Sequence, residues 1–127
     1  MKPTYKVSIA LLAGAILGGA AIHGLHAQAK PPAYVVIVHN EIMDEAALKT
    51  FTERATPITT AQGGRFIIRS PKPMRLSGEA PKRFVVIQFE NLDKAQSWYT
   101  SAEMKPIHEI REKATKSLFF IVEGVSN

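Results

Sequence analysis

Two short segments of this chain are apolar at neighbouring positions and sit near opposite ends of its folded part. Residues 33–40 read AYVVIVHN and residues 118–122 read LFFIV, and both are rich in β-branched or aromatic side chains. Successive side chains of a strand point to opposite faces of a sheet, so each segment predicts a strand that is buried on both faces. The fold therefore needs a cover on each face of the sheet that contains them.

The chain after the first of these strands predicts a helix. Asp44 is a suitable N-cap residue for it. An apolar stripe at helical spacing follows, made up of Leu48, Phe51, Ala55 and Ile58. Pro57 interrupts the stripe and predicts a kink or a broken helix end near Thr56. Gly63 and Gly64 then predict the point where the helix stops.

The remaining segments complete a simple order of elements. Residues 65–69 (RFIIR) and residues 83–90 (RFVVIQFE) predict a second and a third strand, joined by a long loop. Asn91 and Asp93 are suitable caps for a second helical region, which restarts near Ser101. The order strand, helix, strand, strand, helix, strand is that of a ferredoxin-like βαββαβ protomer, an α+β fold with both helices on one face of a four-stranded antiparallel sheet.

The opposite face of that sheet has no helix left to cover it. An exposed face with so many apolar side chains needs a partner, and a second copy of the same sheet, related by a two-fold axis, supplies one. The sequence thus predicts a homodimer in the form of a dimeric α+β barrel. The lack of cysteine favours the same conclusion, because a small exported domain without disulfides depends on its core, a metal or a partner subunit.

Residues 1–29 have the layout of a secretory signal peptide. Lys2 and Lys6 precede an apolar run over residues 7–22, and the sequence AQA at 27–29 is a small-x-small cleavage site. An uncleaved membrane anchor is the alternative, since the run is about as long as the shortest membrane spans. The layout favours cleavage, and the mature protein is then predicted to be periplasmic or secreted and free of the membrane.

Cleavage leaves residues 30–32 (KPP) as a linker and residues 33–127 as one domain. Of the 16 Lys and Arg residues, two leave with the signal segment and 14 remain against 11 Asp and Glu, so the formal charge falls from +5 to +3. Without a basic block or interleaved aromatics, this charge does not indicate nucleic-acid binding. Only His39 and His108 remain as histidines, with no ligand cluster around either, so neither a metal nor a cofactor is predicted.

Arg65 and Arg69 are the most informative polar residues. They lie four positions apart on one predicted strand, so the period of two places both on the same face as Ile67, toward the space between the two sheets. An arginine in an enclosed site binds a carboxylate or phosphate through two parallel hydrogen bonds. With Gln88 they predict a polar spot in an apolar cleft. The alternative is an ion pair with Glu90 or with a carboxylate of the partner subunit.

The histidines and adjacent aromatics have competing interpretations. His39, at the end of the first strand, is a candidate general base or else a solvated strand end. His108 lies in HEIRE, which lacks the second histidine of the zinc-protease motif, so it is a candidate heme ligand or acid/base group or else a solvated helix residue. Trp98 and Tyr99 are core residues or contributors to a pocket, with the Tyr99 hydroxyl as a further candidate for proton handling.

Several segments together resemble a known family. They are AYV at 33–35, GGRF at 63–66 with Arg69 after it, RFVVIQF at 83–89, AQSWYTS at 95–101 and VEGV at 122–125. Over about residues 33–125 the chain resembles the small bacterial domain of unknown function 1330, which implies the dimeric α+β barrel group. Relatives in that wider group include heme-binding proteins, cofactor-independent quinol monooxygenases and lactone isomerases, so the resemblance allows enzyme chemistry without implying it. The simplest family members are bare cytoplasmic domains, from which the signal segment is a departure.

Three functions remain open on this evidence. The first is an exported protein that binds a small anionic or aromatic molecule in a cleft of the homodimer. Its predicted ligand-binding residues are Arg65, Arg69, Gln88 and Trp98. The second is a cofactor-independent monooxygenase or isomerase, with His39 and Tyr99 as catalytic residues and Arg69 as the anchor. The third and weakest is heme binding through His108.

Overall fold

The computed structural model of the chain describes residues 30–126, which form one ferredoxin-like α+β protomer. The signal peptide predicted for residues 1–29 lies outside the described residues. In chain order the elements are β1 (Ala33–Ile42), α1 (Glu45–Ala61), β2 (Arg65–Ser70), β3 (Arg83–Phe89), α2 (Leu92–Tyr99), α3 (Lys105–Ala114) and β4 (Thr115–Glu123). The predicted βαββαβ order is confirmed, with the second helical region divided into α2 and α3.

The four strands form one sheet in the order β2-β3-β1-β4, and every neighbouring pair is antiparallel. All three helices pack on the same face of this sheet, so the core is a single layer between helices and strands. Its largest fully buried side chains include Trp98, Phe89, Leu48, Ile87 and Met104. The main hydrophobic core therefore lies between the helices and one face of the sheet, and the side chains on the other face lie outside it.

Local signals account for the helix ends. The Asp44 side chain accepts a hydrogen bond from the Ala47 N–H at 3.0 Å, which satisfies one of the free donors at the start of α1. The broken end predicted near Thr56 is wrong, because α1 continues through Pro57 to Ala61. Gly63 follows with φ of +93°, a conformation that favours glycine, as predicted for the stop.

Gly64 is needed for a different reason from Gly63. A Cβ atom at this position would lie 2.6 Å from Thr59 Cγ2 and 2.8 Å from Phe89 Cζ. The backbone at the start of β2 therefore lies directly against the core, with no room for a side chain. This close approach brings the first residues of β2 under the end of α1.

A β-bulge in β2 changes the face on which its second half lies. Arg65 faces Gln88 and Phe66 faces Ile87, but the next pairs are Ile68 with Val86 and Arg69 with Val85, so Ile67 is an extra residue. The bulge reverses the alternation after it. The prediction that Arg65, Ile67 and Arg69 share a face is therefore wrong: Arg65 lies on the face away from the helices, whereas Arg69 lies on the helix face.

The sheet face away from the helices, called the open face below, is mostly apolar. Its members on the central strand β1 and the edge strand β4 are Tyr34, Val36, Val38, Leu118, Phe120 and Val122. On β3 and β2 they are Phe84, Val86 and Ile68. Phe120 is 44% exposed and Leu118 is 54% exposed in the single protomer. The prediction that the first and fourth strands are apolar on both faces is confirmed by these pairings.

Within residues 30–126, no helix is both long enough and apolar enough to cross a bilayer.

Candidate functional site

A cavity of about 350 Å³ lies between α1 and the helix face of the sheet. We call it the helix-sheet cavity. Its walls come from α1, from β1, β2 and β3, and from Trp98 of α2. The lining residues used below are His39, Phe51, Thr52, Thr56, Thr59, Phe66, Arg69, Arg83, Val85 and Trp98. Its volume is at the lower end of the range for small-molecule sites, enough for a ligand of one or two rings.

The α1 wall of the cavity is chemically apolar even though three threonines line it. The hydroxyl groups of Thr52 and Thr56 donate to the carbonyls of Leu48 and Thr52 in the preceding helical turn, at 3.0 and 2.7 Å. The Thr59 hydroxyl accepts a buried hydrogen bond of 3.0 Å from Trp98 Nε1. These bonds leave mainly methyl groups and aromatic rings toward the cavity.

Two arginines bring positive charge to this apolar space. The Arg69 guanidinium lies 3.8 Å from the centre of the Phe66 ring, and its Nη2 donates to Thr56 Oγ1 at 3.5 Å. Arg83 Nη2 lies 3.4 Å from Glu45 Oε1. This ion pair is weak, because the Glu45 carboxylate is largely exposed to water. Among residues 30–126, most of the five donors on each guanidinium have no partner and are available to an anion.

His39 lines the cavity and is only 2% exposed. The alternative that it is a solvated strand end is wrong. Its Nδ1 lies 2.7 Å from Ser117 Oγ on β4. Burial, reinforced by the positive charges of Arg111 and Arg83, lowers the pKa of His39 to about 4. The ring is therefore neutral at physiological pH, and one of its nitrogens carries no proton.

A second buried polar cluster lies beside α3 and outside the cavity. His108 Nε2 contacts the Tyr99 carbonyl at 2.9 Å, and the two rings lie 4.1 Å apart. Burial lowers the pKa of His108, so the solvated alternative for this residue is also wrong. Its Nδ1 is buried without a partner among the described residues. Iron would reach neither ring nitrogen without displacing this packing, which weakens the heme interpretation.

Arg111 belongs to the same cluster and is 5% exposed. Its guanidinium lies 4.5 Å from the centre of the Phe119 ring, and Glu112 approaches it at 3.7 Å. The contact with the Phe119 ring replaces part of the hydration that the Arg111 cation loses on burial. The positive charge of Arg111 matters for the cavity because it helps to lower the pKa of His39, which lines the cavity.

The structure brings three of the six predicted site residues together. His39, Arg69 and Trp98 line the helix-sheet cavity. Arg65 and Gln88 pair with each other on the open face at 3.0 Å, because the bulge in β2 separates Arg65 from Arg69. Tyr99 lies in the cluster around His108 instead. The roles of all six in binding or catalysis stay predictions.

Sequence reasoning missed Arg83 as a site residue. Arg83 starts the third strand at the same parity as Val85 and Ile87, both of which lie on the helix face of the sheet. That parity was the available signal, since a charge on the helix face of a strand needs an unusual environment. No group of three or more histidine, aspartate or glutamate side chains within residues 30–126 is arranged to hold a metal ion.

The fold and the cavity define a small two-layer α+β domain with a partly open, mostly apolar cavity between α1 and the sheet. A family model described as a domain of unknown function (DUF1330) matches residues 32–125, and the chain belongs to that family. No curated protein matches it in sequence.

Solved structures share the fold at low sequence identity. A protein of unknown function from Rhodopseudomonas palustris is 10% identical, with a TM-score of 0.66 over 77% of this chain and 85% of its own. SnoaB, a cofactor-independent oxygenase from Streptomyces nogalater, is 12% identical, with a TM-score of 0.55 over 76% and 96%. A dimeric protein of unknown function and ferredoxin-like fold from Bacteroides fragilis is 12% identical, with a TM-score of 0.53 over 76% and 99%. At such identities the likeness shows the fold and not the activity.

Proposed function

We propose that the protein is exported and, as a homodimer, binds a small anionic or aromatic molecule in the helix-sheet cavity of each protomer. The observation that carries the proposal is the pairing of apolar walls with two largely unpaired arginines, Arg69 and Arg83. A guanidinium at the edge of an apolar space strongly favours a planar anion, because water competes poorly there. The rings of Phe51 and Phe66 suit the rest of such a ligand.

The open face supports the homodimer in this proposal. Its exposed apolar residues include Ile68, Leu118, Phe120 and Val122, and a soluble monomer rarely leaves so continuous an apolar patch in water. A second copy has the same shape and character, so a two-fold arrangement covers both faces at once. One solved neighbour is described as a dimeric protein of ferredoxin-like fold. The signal-peptide layout of residues 1–29 supports export.

Replacing Arg69 and Arg65 separately by alanine tests the binding site. We expect Arg69→Ala to weaken binding of 2-naphthoate by about ten- to a hundred-fold, the usual range for losing a charged hydrogen bond. Arg65→Ala is the matched control, because Arg65 lies on the open face. Calorimetric titration of both variants and the wild type measures the difference. Equal losses in the two variants, or no loss in Arg69→Ala, would contradict the proposal.

Cofactor-independent enzyme chemistry is a second candidate, and His39 is the observation that favours it. A neutral imidazole that lines an apolar cavity is placed to take a proton from an acidic O–H or C–H group of a ligand. Its low pKa makes it a weak base in the empty site. An anion bound by Arg83 would offset part of the positive charge that lowers the pKa of His39, so the base gains strength only when a ligand is present.

Turnover of a panel of hydroquinones and lactones that fit a cavity of about 350 Å³ tests the enzyme candidate. We expect the His39→Asn variant to lose at least about a hundred-fold in kcat/KM, the usual effect of removing a general base. Asparagine keeps an N–H near the position of Nδ1, which preserves a donor to Ser117. Unchanged turnover in this variant would remove His39 from the mechanism, and no turnover in the wild type across the panel would favour the binding function.

A further inference from the structure

The hydroxyl groups beside His39 form a chain with a single consistent direction. Thr115 Oγ1 donates to the Arg111 carbonyl at 3.0 Å, at the junction of α3 and β4. Thr115 Oγ1 also contacts Ser117 Oγ, which in turn lies 2.7 Å from His39 Nδ1. A carbonyl oxygen can only accept, so the Thr115 hydroxyl proton belongs to that bond.

The remaining protons follow from this first bond. A hydroxyl has only one proton, so in the contact between Thr115 and Ser117 the donor is Ser117. Ser117 then has no proton left for His39, and the proton between them belongs to Nδ1. The neutral ring carries a single N–H, so Nε2 is the bare nitrogen, and it has no hydrogen-bond partner among the described residues.

In the helix-sheet cavity, Nε2 of His39 is therefore a hydrogen-bond acceptor, and the guanidinium groups of Arg69 and Arg83 are charged donors. His39 faces Arg83 across the β1 and β3 pairing, and Arg69 faces Val85, two residues further along β3 on the same side. The hydroxyl protons of Thr52 and Thr56 are already engaged within α1. A complementary ligand has an anionic group for the arginines and a hydrogen-bond donor for Nε2, on an apolar body that fits about 350 Å³.

We propose that Ser117 and Thr115 hold His39 as the Nδ1–H tautomer and that this selects hydroxylated aromatic carboxylates as the ligands of the cavity. The ligand class rests on the proposed binding function, whereas the tautomer rests on the hydroxyl chain alone. Ser117 and Thr115 are positioning residues, since they act on the ligand only through His39. A hydroxyl on the ligand donates to Nε2, and a methyl ether at the same place cannot.

The first experiment reads the tautomer directly in the full chain. Nitrogen-15 NMR at neutral pH should show a protonated Nδ1 and an unprotonated Nε2 for His39. Ser117→Ala and Thr115→Val should shift the ring toward a mixture of tautomers, because each breaks the directional chain. Ser117→Thr keeps a hydroxyl on a strand residue and should restore the wild-type spectrum. A protonated Nε2 in the wild type would overturn the proposal.

The second experiment compares ligands. Among positional isomers of hydroxy-2-naphthoate, at least one should bind about ten-fold tighter than its methoxy counterpart and than 2-naphthoate, a gain typical of one hydrogen bond. The gain should disappear in His39→Asn and shrink in Ser117→Ala. If 2-naphthoate binds but no hydroxyl improves it, the ligand class is overturned while the binding function stands. If none of these acids binds, the binding function fails with the ligand class, and the NMR spectrum still decides the tautomer.

Discussion

Lowering the pH from 7 to 4 is expected to destabilise the protein by about 3 kcal/mol through His39 alone. The pKa of His39 is lowered from 6.5 to about 4 in the folded protein, first by burial and then by Arg111 and Arg83. Each pKa unit corresponds to about 1.4 kcal/mol, and the near-complete burial of the ring leaves little solvent screening. A charged His39 would lie between two cations with no counterion near it.

The sign of this effect follows from proton binding. Between pH 6.5 and pH 4 the unfolded chain takes up a proton at this histidine and the folded chain does not, so acid favours unfolding. The stabilising contribution is fully present above pH 6.5 and is lost as the pH falls toward 4. The pKa of His108 is shifted in the same direction, so it adds to the acid sensitivity without reversing it.

Urea unfolding at several pH values, at one protein concentration, measures the effect. The His39→Asn variant is the control, because asparagine does not titrate and retains an N–H toward Ser117. Its free energy of unfolding should fall less steeply below pH 6.5 than that of the wild type, with the remaining slope due to His108 and other groups. Identical slopes in the two proteins would show that His39 is not held neutral by its surroundings.

Replacing Phe120 by glutamate is expected to convert the proposed homodimer into monomers. Phe120 is 44% exposed on the open face, near the middle of the edge strand β4 and next to Val36 on β1. Two-fold packing of this face would bury the new carboxylates without partners and bring equal charges together. Burying an unpaired charge costs several kcal/mol, so we expect at least about a thousand-fold increase in the Kd of the dimer.

Native mass spectrometry of the exported protein measures this prediction. The wild type should be a dimer of chains that begin at Lys30, and Phe120→Glu should be a monomer of the same chains. Gln96→Glu is the control, since it adds the same charge to an exposed position on α2, on the helix side. A wild-type monomer, or a Phe120→Glu dimer, would show that the open face is not the interface. Chains that retain residues 1–29 would contradict cleavage of the signal segment.

The cavity and the open face give the two sides of the sheet separate roles. The helix face supplies the core and the candidate binding site, and it does so within one protomer. The open face supplies the proposed contact between subunits. Loss of the dimer in Phe120→Glu should therefore leave the lining of the helix-sheet cavity intact, which separates the tests of binding and of assembly.

The order of elements was predictable because it depends on short-range patterns. Apolar runs of β-branched residues, the stripe of α1 and the cap at Asp44 each act over a few residues, and all are present as predicted. The division of the second helical region near Ser101 was anticipated for the same reason. Of the two outcomes predicted near Thr56, a kink or a broken helix end, the broken end is wrong, since packing of α1 on the sheet outweighs the backbone bond lost at Pro57.

The candidate site was predictable only in part. His39, Arg69 and Trp98 were identified by residue type, yet the grouping of Arg69 with Arg65 and Gln88 was wrong. The reason is Ile67, a single extra residue opposite β3 that reverses the alternation of β2. A one-residue change of register exchanges the two faces of a strand, and the local sequence RFIIRS has no glycine or other mark that announces it.

The ferredoxin-like order of elements, the strands that are apolar on both faces and the family could all be predicted, because they depend on local periodicity and on residue identity. The side of the sheet on which each polar group lies, and the groups that surround it, depend on how the whole chain folds. The neutral state of His39 depends first on its burial and then on Arg111 from α3 and Arg83 from β3, and its tautomer depends on Ser117 from β4. These groups are distant along the chain, and electrostatic effects of this size arise only where folding removes water from between them.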